Sequence, residues 1–228
     1  MIDLSADMGE GSPDEALIWP LITSANVACG GHIGDEVSMR EAAERAREHN
    51  VRFGAHPSYP DRANFGRKSM DIAPDALRDA LVAQLRALGA FARVEHVKPH
   101  GALYNDAHRN RPLADVIVDA MRIVDPSLAL VAPDHSQMAA AARAANLRVI
   151  REAFADRRYE PDGSLTPRSI EGSTLTIEEA AAQAELLARE SAVVARDGSR
   201  ITIHYDTICI HADMPGAHAR LAAIRGRL

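Results

Sequence analysis

The chain has little cysteine: Cys29 and Cys209 are the 2 in 228 residues, too few for the disulfide framework of a small secreted fold. It also lacks a basic excess. Its 26 Lys and Arg stand against 32 Asp and Glu, for a formal net charge of -6 and a sequence pI near 5.9, which argues against a nucleic-acid footprint and for small ligands or protein partners. No apolar run reaches the roughly 20 residues that span a bilayer. The opening Met1-Ile2-Asp3-Leu4-Ser5-Ala6-Asp7 has neither the basic region nor the apolar core of a signal peptide, so the expected compartment is the cytoplasm, with both thiols reduced. No internal repeat, low-complexity tract or composition break marks a linker, and residues 1–228 read as a single domain. That length suffices to bury about 70 to 75% of the unfolded surface. HExxH, paired CxxC and GxxxxGK[ST] elements are all missing, so a metal would rest on residues gathered from separate segments, and a nucleotide on side chains at the strand ends or on surfaces of a partner.

Short apolar runs alternate with longer helical patterns, as in repeated βα units around a parallel sheet. Strands are expected at residues 2–6, 24–28, 51–55, 96–98, 128–132, 148–151 and 206–210. Asp35 can cap a helix over 36–49, Pro74 can open one over 74–93, and Thr176 with Glu179 forms a capping box before an alanine-rich stretch to 195. Further helices are expected at 112–124, 136–145 and 215–227. A closed or nearly closed barrel is the economical architecture, with an open doubly wound sheet as the alternative. The alanine-rich surface at 180–195 reads as barrel packing or an interface between subunits. Residues 153–173 show no apolar periodicity and read as a long loop, of the kind that forms lids and binding loops. Its Arg157, Arg158 and Arg168 can clasp a carboxylate or phosphate, or pair locally with Asp156, Glu160 or Asp162.

Four histidines follow expected strands in polar clusters: Gly30-Gly31-His32, Gly54-Ala55-His56-Pro57, Lys98-Pro99-His100-Gly101 and Ile210-His211-Ala212-Asp213. In a parallel α/β fold such strand ends meet on one face, where barrel and doubly wound enzymes keep their chemistry. Asp7 and Glu10 follow the first strand and can orient a cation, take a proton from water, or shift each other's pKa. Alternatively Asp7 caps a turn at Gly9 and Glu10 lies in solvent. His32, His56 and His100 with Asp7 offer a mixed nitrogen and oxygen set for a divalent metal, though the same rings can orient substrate or shuttle protons. Lys98 ends a buried strand and is locked by Pro99. An unpaired buried ammonium is costly, so Lys98 must meet a phosphate, a developing oxyanion, or a carboxylate such as Asp7, Glu10 or Glu152. His96 shares its face, whereas His49, His108, His135, His204 and His218 read as surface or packing residues.

The runs from Asp3 to Glu10, Thr23 to Gly30, Gly54 to Asp61 and Val97 to Asn105 resemble the LamB/YcsF family. So do Glu152 to Arg157 with Asp162-Gly163 and Pro167-Arg168, and Ile208 to His211 with Pro215-Gly216-Ala217. The resemblance implies a distorted seven-stranded (β/α) barrel similar to the glycoside hydrolase and deacetylase group. It further implies ATP-dependent 5-oxoprolinase activity, in which the lactam of 5-oxo-L-proline is opened to L-glutamate while ATP becomes ADP and phosphate. The family's A component works there with B and C subunits. Carried over by motif, Asp7 and Glu10 would orient a metal or water, and Lys98 and Arg157 would balance phosphate charge. His56 and His100 would serve as ligands or general acid and base, with Asn26, Tyr104, Asn105 and Arg168 grasping the substrate. The chain departs from the family pattern at Ser5, Gly31, Ala212 and Met214, each expected at the barrel mouth and so bearing on substrate choice. Two other readings stay open: a metal-dependent deacetylase or amidohydrolase that uses no ATP, and a non-catalytic ligand-binding or regulatory subunit.

Overall fold

Seven parallel strands close on themselves into a barrel. The structure, a computed structural model, describes residues 2–212 and 216–228. Its barrel strands are β1 (Asp3–Met8), β2 (Ser24–Ala28), β3 (Arg52–His56), β4 (His96–Val97), β5 (Ala129–Ala132), β6 (Val149–Phe154) and β9 (Thr207–Ile210). β9 pairs with both β6 and β1, setting Cys209 beside Phe154 on one side and Ser5 on the other. The expected strands therefore all form, shifted by at most three residues at an end, and the open-sheet alternative is set aside.

Side chains alternate across each strand, and in this barrel the alternation separates two environments. Leu4, Ala6, Met8, Val27 and Ile208 face outward into the main core beneath the helices. Much of the inward set is polar. Thr207 Oγ1 donates to Ser5 Oγ at 3.0 Å, and His96 Nε2 lies 2.9 Å from Asn26 Oδ1. A cluster of Ala129, Val131 and Ile150 forms a small apolar patch separate from the main core. Packed barrels normally fill their interior with branched apolar side chains, whereas here Ser5, Ser24, Asn26, His96 and Thr207 share the lumen with Val131 and Ile150.

The helices sit where their caps require. α2 (Glu36–Glu48) starts at Asp35 and α7 (Ile177–Glu190) at Thr176, each with a complete capping box. α3 (Pro74–Gly89), α5 (Arg111–Val124), α6 (Gln137–Ala144) and α8 (Ala217–Arg225) occupy the other expected places. Two short helices were not expected, α1 (Glu15–Ile18) and α4 (Gly101–Arg109). The alanine-rich stretch stops being helical at Glu190 rather than running to 195. Ser191 enters the left-handed region at φ 49°, after which β7 (Ala192–Val194) pairs antiparallel with β8 (Arg200–Thr202) around Asp197-Gly198. Two adjacent valines and an Asp-Gly turn outweigh the helix preference of the alanines before them. Ala180, Ala181 and Ala184 are buried in the main core, so this face is barrel packing. Asp213, Met214 and Pro215 lie outside the described residues, which leaves the expected helix start at 215 and the Met214 departure without a structural account.

The aperiodic loop is folded onto the barrel mouth. Asp156, Arg157, Tyr159, Thr166 and Ser173 are buried, and bridges join Arg157 to Thr174 and Tyr159 to Leu165. This brings residues 163–168 over the carboxyl ends of the strands, where they line the main cleft.

Candidate active site

The cleft at the carboxyl end of the barrel has a volume of about 1470 Å³. At its floor Lys98, 3% exposed, is surrounded. Its Nζ lies 2.8 Å from Asp7 Oδ1, 3.0 Å from Glu152 Oε1 and 2.9 Å from Cys209 Sγ. Tyr104 donates its hydroxyl to Glu152 Oε2 at 2.7 Å. Burial opposes charge on both partners, yet His56 and Lys98 hold Asp7 well below the usual carboxylate range, and Asp7 keeps Lys98 well above an ordinary lysine. Burial pushes the Cys209 thiol up, against the pull of Lys98. Lys98 thus meets Asp7 and Glu152, two of its three expected carboxylates, while Glu10 turns elsewhere.

Gly9, at φ 74° in the left-handed region, turns the chain after β1, and its N–H donates to Glu15 Oε1 at 2.7 Å. Glu10 follows, with Oε1 2.9 Å from His32 Nε2, 3.2 Å from His100 Nδ1 and 3.7 Å from His56 Nε2. The tautomers follow from the acceptors, since a carbonyl only accepts. His56 Nδ1 donates to Lys98 O at 2.7 Å, and His100 Nε2 donates to Phe65 O at 3.0 Å. The remaining nitrogens, His56 Nε2 and His100 Nδ1, lie 3.0 Å apart, with Glu10 alongside and Asp7 Oδ2 at 3.4 Å from His56. Two facing lone pairs beside two carboxylates demand a positive charge between them. A second proton on His56 provides one, and its pKa is raised because Asp7 and Glu10 outweigh burial. A divalent cation is the other solution, and Glu10, His56 and His100 offer three ligand atoms within 4.8 Å of one another.

This differs from the expected metal set in two members. Glu10 takes the place of Asp7, whose oxygens are taken by Lys98 and Asn26. His32 sits one layer out, bonded to Glu10 and stacked on His100 with centroids 3.7 Å apart. Its burial lowers its pKa to about 4, so the neutral ring donates to Glu10 and holds that carboxylate in place, as outer ligands hold inner ones.

Asn26 is 0% exposed and lies under Asp7, not in the cleft: its Nδ2 donates to Asp7 Oδ1 at 2.9 Å while its Oδ1 faces His96 Nε2. It therefore orients Asp7 from below and does not line the cleft. Burial pushes His96 down from 6.5 to about 4. A ring that stays neutral in the fold but accepts a proton when unfolded costs stability in acid. The fold is expected to lose about 3 kcal/mol from this group as pH falls from about 6.5 towards 4, none of it above 6.5. Urea unfolding of wild type and His96→Asn at pH 7 and pH 4.5 checks this, and equal losses in both proteins would refute it.

Tyr104, Asn105, Arg157 and Arg168 line the cleft. The Arg157 guanidinium is also a loop anchor, donating to Thr166 O at 2.6 Å and Ser173 O at 3.3 Å. Ser5 and Gly31, expected at the mouth, do not reach it. Ser5 sits in mid-lumen against Thr207, and a Cβ on Gly31 would lie 2.3 Å from Gln84 Oε1 and 2.4 Å from Ser58 Oγ, which fill the space an aromatic would need. Ala212 is buried. His108, His135 and His204 line the outer cleft instead of serving only as surface or packing residues. Cys209 did not stand out as a site residue in the sequence, and Glu152 entered only as one of the carboxylates that Lys98 could meet. The available signal was inward alternation, which places Glu152 with Phe154 and Cys209 with Thr207 on the lumen side of their strands.

A closed parallel barrel of seven strands with its ionisable groups gathered at the carboxyl mouth defines a (β/α)7 barrel. The chain belongs to the LamB/YcsF family, whose model matches residues 2–228. A relative from Methylococcus capsulatus, named as the A component of 5-oxoprolinase, is 47% identical over 197 residues, covering 82% of this chain and 75% of that protein. The solved lactam utilization protein from Thermus thermophilus is 41% identical with a TM-score of 0.93, covering 100% of this chain and 95% of that one.

Proposed function

We propose that this chain is the A component of a cytoplasmic, ATP-dependent 5-oxoprolinase that works with B and C subunits to open 5-oxo-L-proline to L-glutamate. The observation that carries this reading is the juxtaposition, in one cleft, of an ammonium held between two carboxylates and a third carboxylate facing two imidazole lone pairs. The names of the two relatives support the same substrate class. A five-membered lactam is a resonance-stabilised amide with a poor leaving group, which gives the coupling to ATP a chemical reason. Transfer of the γ-phosphoryl group to the lactam oxygen, with ADP leaving, makes the ring carbon a stronger electrophile. Water adds there, the C–N bond opens, and the resulting acyl phosphate takes up a second water to give glutamate and phosphate.

In this scheme Lys98 and Arg157 balance phosphoryl charge, and Tyr104, Asn105 and Arg168 surround the ring and its carboxylate. Asp7, aligned by Asn26 and Lys98, and Glu10, aligned by His32, orient the attacking water. His56 and His100 exchange protons, or with Glu10 hold a divalent cation. Such a cation, when bound, supplies Lewis-acid activation of water or of the amide oxygen.

Purified chain, assayed on 5-oxoproline with ATP, is expected to release glutamate and phosphate in equal amounts only when the B and C subunits are added. The ligand set of Glu10, His56 and His100 favours a second reading, a metal-dependent amidohydrolase. Stoichiometric zinc in the purified chain, together with amide hydrolysis that needs neither ATP nor partners, would establish that reading in place of the first.

A further inference from the structure

One imidazole at the mouth has no part in the scheme above. His211 follows β9 and lines the cleft, and its ring is held from two directions. Its Nδ1 lies 3.1 Å from both carboxylate oxygens of Asp156, and its main-chain N–H donates to Asp156 Oδ2 at 2.9 Å. The ring also stacks on Phe154, with centroids 5.5 Å apart and planes 14° from parallel. Phe154 in turn lies under the Lys98 ammonium, which is 5.4 Å from its ring centroid. Asp156 is fully buried. Burial opposes its charge, but His211 and Arg157 outweigh that and hold it below the usual carboxylate range. An ionised carboxylate against Nδ1 makes that nitrogen the one that carries the hydrogen. Nε2, at the opposite edge of the ring, is then left to exchange a proton in the cleft.

The other strand-end rings are not placed for this. His56 and His100 donate their outer nitrogens to carbonyls and turn the inner ones on each other. His32 faces Glu10, and His96 is buried beneath Asn26. Among the described residues, the charged group in contact with His211 is Asp156.

We propose that His211 is a further catalytic residue, the general acid that protonates the departing ring nitrogen, and that Asp156 is its positioning residue. The assignment rests on the lactam-opening reading. As the C–N bond breaks, its electron pair goes to nitrogen, which takes the proton from Nε2. His211 is left neutral and recovers a proton from water. The amine is the poorest leaving group in the sequence, and a proton delivered in the transition state typically contributes about 10²- to 10⁴-fold.

The test uses the full chain reconstituted with its partner subunits, on 5-oxoproline and on the corresponding lactone, whose ring oxygen leaves with far less need of a proton. His211→Gln and Asp156→Asn are expected to lower kcat on the lactam by about 10²-fold or more, with KM little changed and lactone turnover reduced much less. Imidazole added to His211→Ala should restore part of the lactam activity. Lactam turnover by His211→Gln within threefold of wild type would overturn the assignment, as would equal losses on lactam and lactone. Imidazole-region ¹⁵N NMR of the wild-type chain is independent of activity: Nδ1 should carry hydrogen at neutral pH, and a bare Nδ1 sinks the dyad. A wild-type assembly that makes no glutamate fails the lactam reading itself, and the NMR result then still decides whether the Asp156–His211 dyad exists.

Discussion

Lys98→Met is expected to destabilise the protein by about 3–5 kcal/mol and to abolish turnover of 5-oxoproline. The substitution leaves Asp7 and Glu152, both buried, facing each other without the ammonium between them, and an uncompensated buried charge costs about that much. Little is lost in volume, because the methionine chain is nearly as long as the lysine stem. The loss is therefore electrostatic, which gives the prediction a second arm. The triple variant Lys98→Met, Asp7→Asn, Glu152→Gln removes the whole charge cluster and should recover most of the stability while remaining inactive, since exchanging a complete buried ion cluster for neutral groups is close to neutral energetically. Urea unfolding separates the arms. A Lys98→Met protein as stable as wild type would show that the ammonium does not hold these carboxylates together.

Gly54→Ala carries the second large effect. The glycine lies on β3 directly under the His96 ring, and a Cβ there would stand 2.0 Å from Nε2 and 2.3 Å from Cδ2. Neither side can yield easily, because Gly54 is in the register of β2 and β4, and His96 is wedged in the lumen on β4. The ring must leave Asn26, and Asn26 then no longer aligns Asp7. We expect a loss of about 3 kcal/mol, the upper end for overpacking a core, together with loss of activity. Because the clash is with one ring, Gly54→Ala combined with His96→Ala should be more stable than Gly54→Ala alone, a non-additivity typical of touching residues. Thermal unfolding of the two variants and wild type is the measurement, and a Gly54→Ala protein that melts with wild type would refute the packing argument.

Two of the departures from the family pattern, Ser5 and Gly31, lie away from the cleft. Ser5 makes a lumen contact, and Gly31 gives up its space to Gln84 and Ser58. The cleft is instead bounded by the 163–168 segment, α4 and the outer histidines His108, His135 and His204. A lactam analogue enlarged on the side of this rim is where differences in specificity should appear.

How much was legible before folding depends on the range of the interaction. The capping residues Asp35 and Thr176, the seven apolar runs and the strand-end histidines are properties of a few adjacent residues, and all appear where the pattern puts them. That a strand-end lysine must find an anion follows from desolvation alone, and in the fold two carboxylates meet it. The same local logic failed at Glu190, where propensity favoured continued helix but the two valines and the Asp-Gly turn made a hairpin.

Local pattern thus decided which segments are strands, which of their residues share a face, and that charge would collect at their carboxyl ends, because backbone geometry and hydrophobic periodicity act within a few residues. Closure of the ring decided the rest. Only when β9 docks between β6 and β1 does Cys209 reach Lys98, and only then is Glu152 opposite Asp7. Likewise Glu10, and not Asp7, completes the pair of imidazoles, because Lys98 and Asn26 have already taken the oxygens of Asp7. Such choices are competitions between groups up to about 200 positions apart, settled by distances that do not exist until the barrel does.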